Sequence, residues 1–157
     1  MEGYKFLHVE NKANNGTYLA LVKLEIPDDA KVVYPIDTEY YVTTGLIEEP
    51  ISSLNYKRSI KCRCNKAKIV EIIQYYDVIG VISLYYKLHK ITHTYFSEPS
   101  YLVFKSLYND EFCYKFNKYI EPDTFDDDIY TECSHGIHFC RTILDAKKFM
   151  ENNGYRF

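Results

Sequence analysis

The chain has 157 residues, of which 46% are apolar, with 17 Tyr, 9 Phe and no Trp. A chain of that length buries roughly two thirds of its unfolded surface without a disulfide or metal staple, and the apolar fraction excludes a disordered chain. The formal net charge of −3 excludes a global basic field aimed at nucleic acid or membrane.

In chain order, "MEGYKFLHVENK" (1–12) lacks the apolar core of a secretory signal. No later apolar run approaches the ~20 residues of a membrane-spanning helix. The expectation is a soluble intracellular protein. Its five cysteines, an odd number, are then thiols rather than a disulfide framework. In "TYLALVKLEIPDDAKVVYP" (17–35), Ala20, Val22, Leu24 and Ile26 alternate with Leu21, Lys23 and Glu25. This predicts a strand with one apolar and one partly polar face. "IPDD" supplies a turn, because Pro27 fixes its own φ and the aspartates bond the local backbone. Val32 to Tyr34 then start a second strand. "EYYVTTG" (39–45) reads as an edge strand or a loop. "KAKIVEIIQYYDVIGVISLYYKL" (66–88) carries two apolar runs broken at Asp77, read as paired strands. A helix over Lys66 to Ile73 is the alternative. "SYLVFKSLYNDEFCYKF" (100–116) predicts a hairpin turning at Asn109 and Asp110, and "GIHF" (136–139) a short buried strand. The clearest helix is C-terminal, at about 142–153. Thr142 caps it with Asp145 three residues later, and Gly154 suits the left-handed position after its end. The fold class expected is α+β: one domain over 1–157, a mostly antiparallel sheet with few helices.

Three stretches, "KCRCNKAKIVEI" (61–72), "YKFNKYIEPDTFDDD" (114–128) and "ECSHGIHFCRTILDAKKF" (132–149), carry a family resemblance. In order and spacing they are similar to the uncharacterised domain often found next to pentapeptide repeats in proteins of large DNA viruses, phages and some bacteria. The resemblance covers about residues 18–150. It implies a viral protein acting in the host cytoplasm or nucleus, and it implies no activity. Asn117 stands where that family usually has Gly, and Asn is the residue that best tolerates the same positive φ. Cys64 stands where Ala is usual, Cys140 where Phe is usual, and His135 at a variable position. The residues that match the motifs are Cys62, Arg63, Lys66, Cys133, Gly136, His138 and Phe139, and they are read as structural.

"ECSHGIHFC" (132–140) has the atom types of a zinc site in Cys133, His135, His138 and Cys140. However, the paired-knuckle spacing is absent and two of the four are family-variable, so no metal is expected. A Cys133 or Cys140 nucleophile activated by His138 lacks a visible orienting group. The favoured reading of His138 is a buried imidazole that ties two loops through both ring nitrogens. "GIHF" also resembles the glycine–x–aromatic strand of ADP-ribosyltransferases, which would make the chain an enzyme, although the upstream histidine motif and the terminal catalytic Glu are not evident.

Lys57, Arg58, Lys61, Arg63, Lys66 and Lys68 form a basic run within 57–68, and Glu121, Asp123, Asp126, Asp127 and Asp128 an acidic one. A basic run can bind phosphate backbones. The expectation is instead that the two runs dock on each other, with nucleic acid not a partner. The acidic run lacks the glycine and bidentate Glu of a calcium loop. Taken together, the sequence predicts a non-catalytic protein-interaction or scaffold domain with a protein partner, no cofactor and no membrane. A homo-oligomer is compatible with it. Many Tyr on a β-rich surface suit such contacts.

Overall fold

The computed structural model describes residues 1–35, 60–82, 85–91, 101–131 and 133–157. The stretch 39–45, Lys57, Arg58 and Glu132 lie outside the described residues. In chain order the elements are β1 (Glu2–Asn11), β2 (Gly16–Glu25), β3 (Val32–Val33), β4 (Lys61–Cys64), β5 (Lys68–Ile82), β6 (Tyr85–Ile91), β7 (Leu102–Lys105), β8 (Cys113–Tyr114), β9 (Ile137–Cys140), α1 (Ile143–Asn152) and β10 (Tyr155–Arg156). One sheet runs β10-β6-β5-β2-β1-β9-β4-β3, with β7 and β8 attached through β1. Among the described residues, the strand-to-strand pairings are antiparallel except the short β10–β6 one. The architecture is therefore the expected antiparallel α+β one, with a single small C-terminal helix among the described residues.

The N-terminal stretch is a central strand. β1 pairs with β2 along its whole length, from Glu2 opposite Glu25 to Asn11 opposite Gly16. Local chemistry makes this hairpin. Asn15 has φ 56, and Asn11 and Asn14 side chains accept from Ala13 N and Gly16 N at 2.9 and 2.8 Å. These are the bonds that small amides make in turns.

The period of two then sorts the side chains onto two faces. Leu7 and Val9 join Ala20, Val22 and Leu24 in one core, which also takes Ile69, Ile137 and Phe139. Phe6 joins Leu19 and Leu21 in a second core on the opposite face, covered by Ala146 and Met150 of α1. Each such aliphatic or aromatic burial stabilises by about 1.5–3 kcal/mol. The first core is closed by the segment 112–120, where Ala67 pairs with Ile120 and Ile69 with Phe116. Asn117 has φ 55 in that segment, the conformation expected of it.

Two expectations about β5 are corrected. Asp77 does not break the run into two strands: β5 is continuous from Lys68 to Ile82, and Asp77 faces His89 of β6 within it. Nor is Lys66–Ile73 helical. Both faces of this strand pack at its N-terminal half, so its pattern lacks the alternation that separates strand from helix. The hairpin at 100–116 forms as expected, with Phe104 opposite Tyr114 and the turn closed by Phe112 N donating to Asn109 O at 3.0 Å. The helix also starts as expected. Asp145 N donates to Thr142 Oγ1 at 3.0 Å, and Gly154 takes φ 87 after the last turn.

Candidate functional site

Arg63 organises one side of the region. β4 lies beside β9, with Arg63 opposite His138 and Cys62 opposite Phe139. The Arg63 side chain is fully buried. Its Nε donates to Asp126 O at 2.6 Å and Nη1 to Thr131 O at 2.5 Å, while Nη2 donates to Asp128 O. The acidic run thus wraps the guanidinium with backbone carbonyls, not carboxylates. Its own side chains build the loop: Asp126 Oδ1 accepts from Asp128 N at 2.9 Å, and Asp128 Oδ2 from Thr131 Oγ1 at 2.8 Å. Lys66 does meet carboxylates, at 2.9 Å from Asp29 and 3.8 Å from Glu121. Lys68 meets Glu25 at 3.1 Å. The expected docking of basic on acidic run is present, and it is carried mainly by one arginine.

A cleft opens on the other side of β9, and β1 causes it. The edge of β1 that faces away from β2 serves two strands. Tyr4 pairs with Cys140 of β9, and His8 to Asn11 pair with β7. Between Tyr4 and His8 the two partner strands part. Beneath the split lies a slot of about 40 Å³ with Phe6, Leu107, Phe139 and Ala146 in its walls and Lys5 and His138 at its polar side. It opens on grooves of about 520 and 630 Å³, and Tyr108 and His138 line both of them. Phe149 of α1 stands edge-on to Tyr108 at 6.4 Å between ring centroids. Lys61 Nζ lies 5.5 Å from the Phe149 ring centroid and 2.8 Å from Cys133 Sγ.

The electrostatics of the cleft are cationic. Lys5 Nζ donates to His138 O at 2.8 Å and sits 5.7 Å from the Tyr114 ring centroid. Burial, with Lys61 nearby, lowers its pKa to about 8. Burial pushes His138 down to about 3, and Lys5, Lys61 and Arg63 add to the effect. The imidazole is therefore neutral at pH 7. Its Nε2 is buried with no hydrogen-bond partner. This corrects the picture of an imidazole tied at both nitrogens: it is the backbone carbonyl of His138 that ties β9 to β1.

A pH test follows. The unfolded chain protonates this histidine near pH 6.5, whereas the folded chain does so near pH 3. Between those values the unfolded state holds more protons, so stability is present above about pH 6.5 and is lost as pH falls toward 3. His138→Asn removes that loss. Urea unfolding of both proteins at pH 7, 5.5 and 4 should show the native chain losing stability to the variant as pH drops. Groups common to both, such as His8 and Glu10, cancel in the difference. Parallel curves would refute the assignment.

The motif cysteines do not converge. Cys62, Cys64 and Cys140 are buried, Cys113 is intermediate and Cys133 exposed. Burial raises the pKa of Cys64 and Cys140 to about 12. Among the described residues, no three His, Cys, Asp or Glu side chains are grouped to hold a metal. A thiol-labelling reagent should therefore modify Cys133 first, Cys113 more slowly, and the three buried thiols only on unfolding. Peptide mass mapping against time checks this, and early labelling of Cys62 or Cys64 would contradict it.

Of the motif residues, Arg63, Gly136 and His138 meet at this region, and Phe139 and Cys62 pack in the core beneath it. Lys66 lies apart, at the Asp29 and Glu121 side. Lys5, Tyr108 and Phe149 were not singled out from the sequence. A signal existed for Lys5 alone: it shares its strand face with Leu7 and Val9, an unusual place for an ammonium. Among the described residues, the one carboxylate lining these cavities is Asp123. No helix of the described residues is long and apolar enough to cross a membrane.

The fold and site together define an antiparallel α+β domain with a cationic, aromatic-walled cleft at a split sheet edge. The chain belongs to the DUF5758 family, a family of unknown function, whose model matches residues 1–146. No curated protein matches the chain. No solved structure matches it either.

Proposed function

We propose that this domain is a non-catalytic protein-interaction module, from a large DNA virus, that holds its partner at the Tyr108–His138 cleft. The observation that carries the reading is the make-up of the cleft wall. Segments far apart in the chain (β1, the β7–β8 turn, residues 133–138 and α1) meet there, and Tyr108 stands 67% exposed among them. Exposed aromatic rings on a rigid β scaffold are typical contact anchors. The chemistry of the cleft supports binding over turnover. The histidine is neutral with an unpartnered Nε2, and a base in nucleophilic catalysis needs an orienting partner. The basic run supports nucleic-acid binding poorly, because Arg63, Lys66 and Lys68 are engaged within the fold.

The test is capture from infected or native cells by the tagged chain and by Tyr108→Ala, read by quantitative mass spectrometry. Tyr108 is mostly exposed, so the variant should melt like the native protein and lose the specific partner. Equal capture by both would overturn the reading. So would NAD hydrolysis or ADP-ribose transfer by the native chain that His138→Asn abolishes without unfolding it.

A further inference from the structure

The geometry points to the class of partner segment: an acidic peptide that seats one apolar side chain in the slot and sets a neighbouring carboxylate against Lys5 and His138. This inference rests on the interaction reading above and names what the cleft would grip. The slot is amphipathic. Phe6, Leu107, Phe139 and Ala146 offer it only carbon, while Lys5, Lys61 and His138 bring nitrogen to its lining. Lys5 has three N–H donors, and one of them is directed at His138 O. No carboxylate among the described residues stands within ion-pair distance of it. A cation held largely away from water, beside a carbonyl and the Tyr114 ring, gains most from an incoming anion. The neutral His138 ring lines the slot and both grooves, so it walls the space beside Lys5 without adding a competing anion.

The anion is a carboxylate rather than a phosphate on the same grounds. A lysine that binds phosphate is commonly joined by an arginine fork or a helix N-terminus. Here Arg63 is committed to three carbonyls. The helix contributes Ala146 and Phe149 to the slot, and Ala146 N is already spent on Thr142 O. The carrier is a chain rather than a free acid because of the grooves. They extend from the slot on both sides, about 520 and 630 Å³, and meet at Tyr108 and His138. An extended peptide crosses from one to the other, whereas a compact acid would leave both empty.

The probe is a set of N-acetylated, C-amidated heptapeptides with a central Glu-Leu pair and randomised flanks. They are titrated in pools into the isotope-labelled full chain by two-dimensional NMR. Binding should move the amide signals of Lys5, Tyr108 and His138 saturably. Changing the peptide Glu to Gln should weaken binding about tenfold, as should Lys5→Gln in the protein. The two changes together should cost little more than either alone. Tyr108→Ala, at an exposed position, should also weaken binding and guards against a Lys5 variant that folds poorly. No saturable shift, indifference to both Gln changes, or equal affinity for free isovalerate would overturn the inference. If the peptides fail while Tyr108→Ala still abolishes partner capture, the interaction reading stands and the carboxylate falls. If capture ignores Tyr108 as well, both fall.

Discussion

Arg63→Met is expected to destabilise the domain by about 3–5 kcal/mol, the largest effect of any single change considered. Methionine nearly conserves the volume, so the loss isolates the guanidinium. That group makes three charge-assisted bonds to the carbonyls of Asp126, Asp128 and Thr131, each net worth about 1.5–3 kcal/mol. Part of this returns when water reaches the freed carbonyls, because the loop 121–131 is largely exposed on its outer side. For a chain of this size each kcal/mol moves the melting temperature by about 2–4 °C, so calorimetry should record a fall of roughly 6–20 °C. Arg63→Lys should recover little, since one ammonium cannot address three carbonyls set out for a planar fork. Limited proteolysis of either variant should cut first within 121–131. A loss below about 1 kcal/mol, the range of ordinary surface changes, would show that the loop holds itself and that Arg63 merely fills space.

Gly136→Ala should cost about 2–4 kcal/mol. Gly136 has φ 145, a region that residues with a Cβ rarely enter, and strain of that kind costs about 1–3 kcal/mol. The new methyl would also lie 3.1 Å from Phe125 Cδ2 and 3.4 Å from Arg63 Cβ, so the acidic loop must give way. The two contributions separate in a double variant. Phe125→Ala should relieve the steric part of Gly136→Ala and leave the backbone part. Gly80→Ala is the control, because a Cβ there meets nothing within 4 Å. Chemical denaturation of the set measures all of these. Equal effects at Gly136 and Gly80 would remove the case for a constrained entry into β9.

What the sequence disclosed depended on how local each signal was. The cap at Thr142, the turn at Asn109 and the positive φ at Asn117 were all readable, because each is fixed by a few adjacent residues. β1 escaped notice. Its Lys5 and His8 interrupt the apolar alternation, and both of its faces are buried, so it lacks the half-polar pattern that marks a strand. The turn signal "NNG" at 14–16 was the available clue. Asp77 misled for the opposite reason: one charge in an apolar run reads as a break, although β5 carries it at a partly exposed position opposite His89. The cleft was not readable at all. Its wall is assembled by residues about 30 to 140 positions apart, and nothing in "YKFLHV" or "LYNDE" alone announces that β7 and β9 part beside Lys5. The stretch "ECSHGIHFC" divides accordingly. Its cysteines scatter between core and surface, while its second histidine turns toward the cleft.

The double service of the β1 edge also sets a timetable. β1 and β2 adjoin in sequence, so their hairpin is available as soon as both have been made. The strand that completes the edge at Tyr4 lies 136 positions later, at Cys140. At about 5–20 residues per second of synthesis, the hairpin waits on the order of ten seconds with Tyr4 and its neighbours unmatched. The contact that finally closes it spans nearly the whole chain, the kind of pairing that slows folding. Throughout that interval a nascent chain displays an apolar ribbon with an open side. The protein should therefore depend on holding chaperones during synthesis far more than its modest size suggests, and ribosome-bound chains halted before residue 137 should be the ones those chaperones retain.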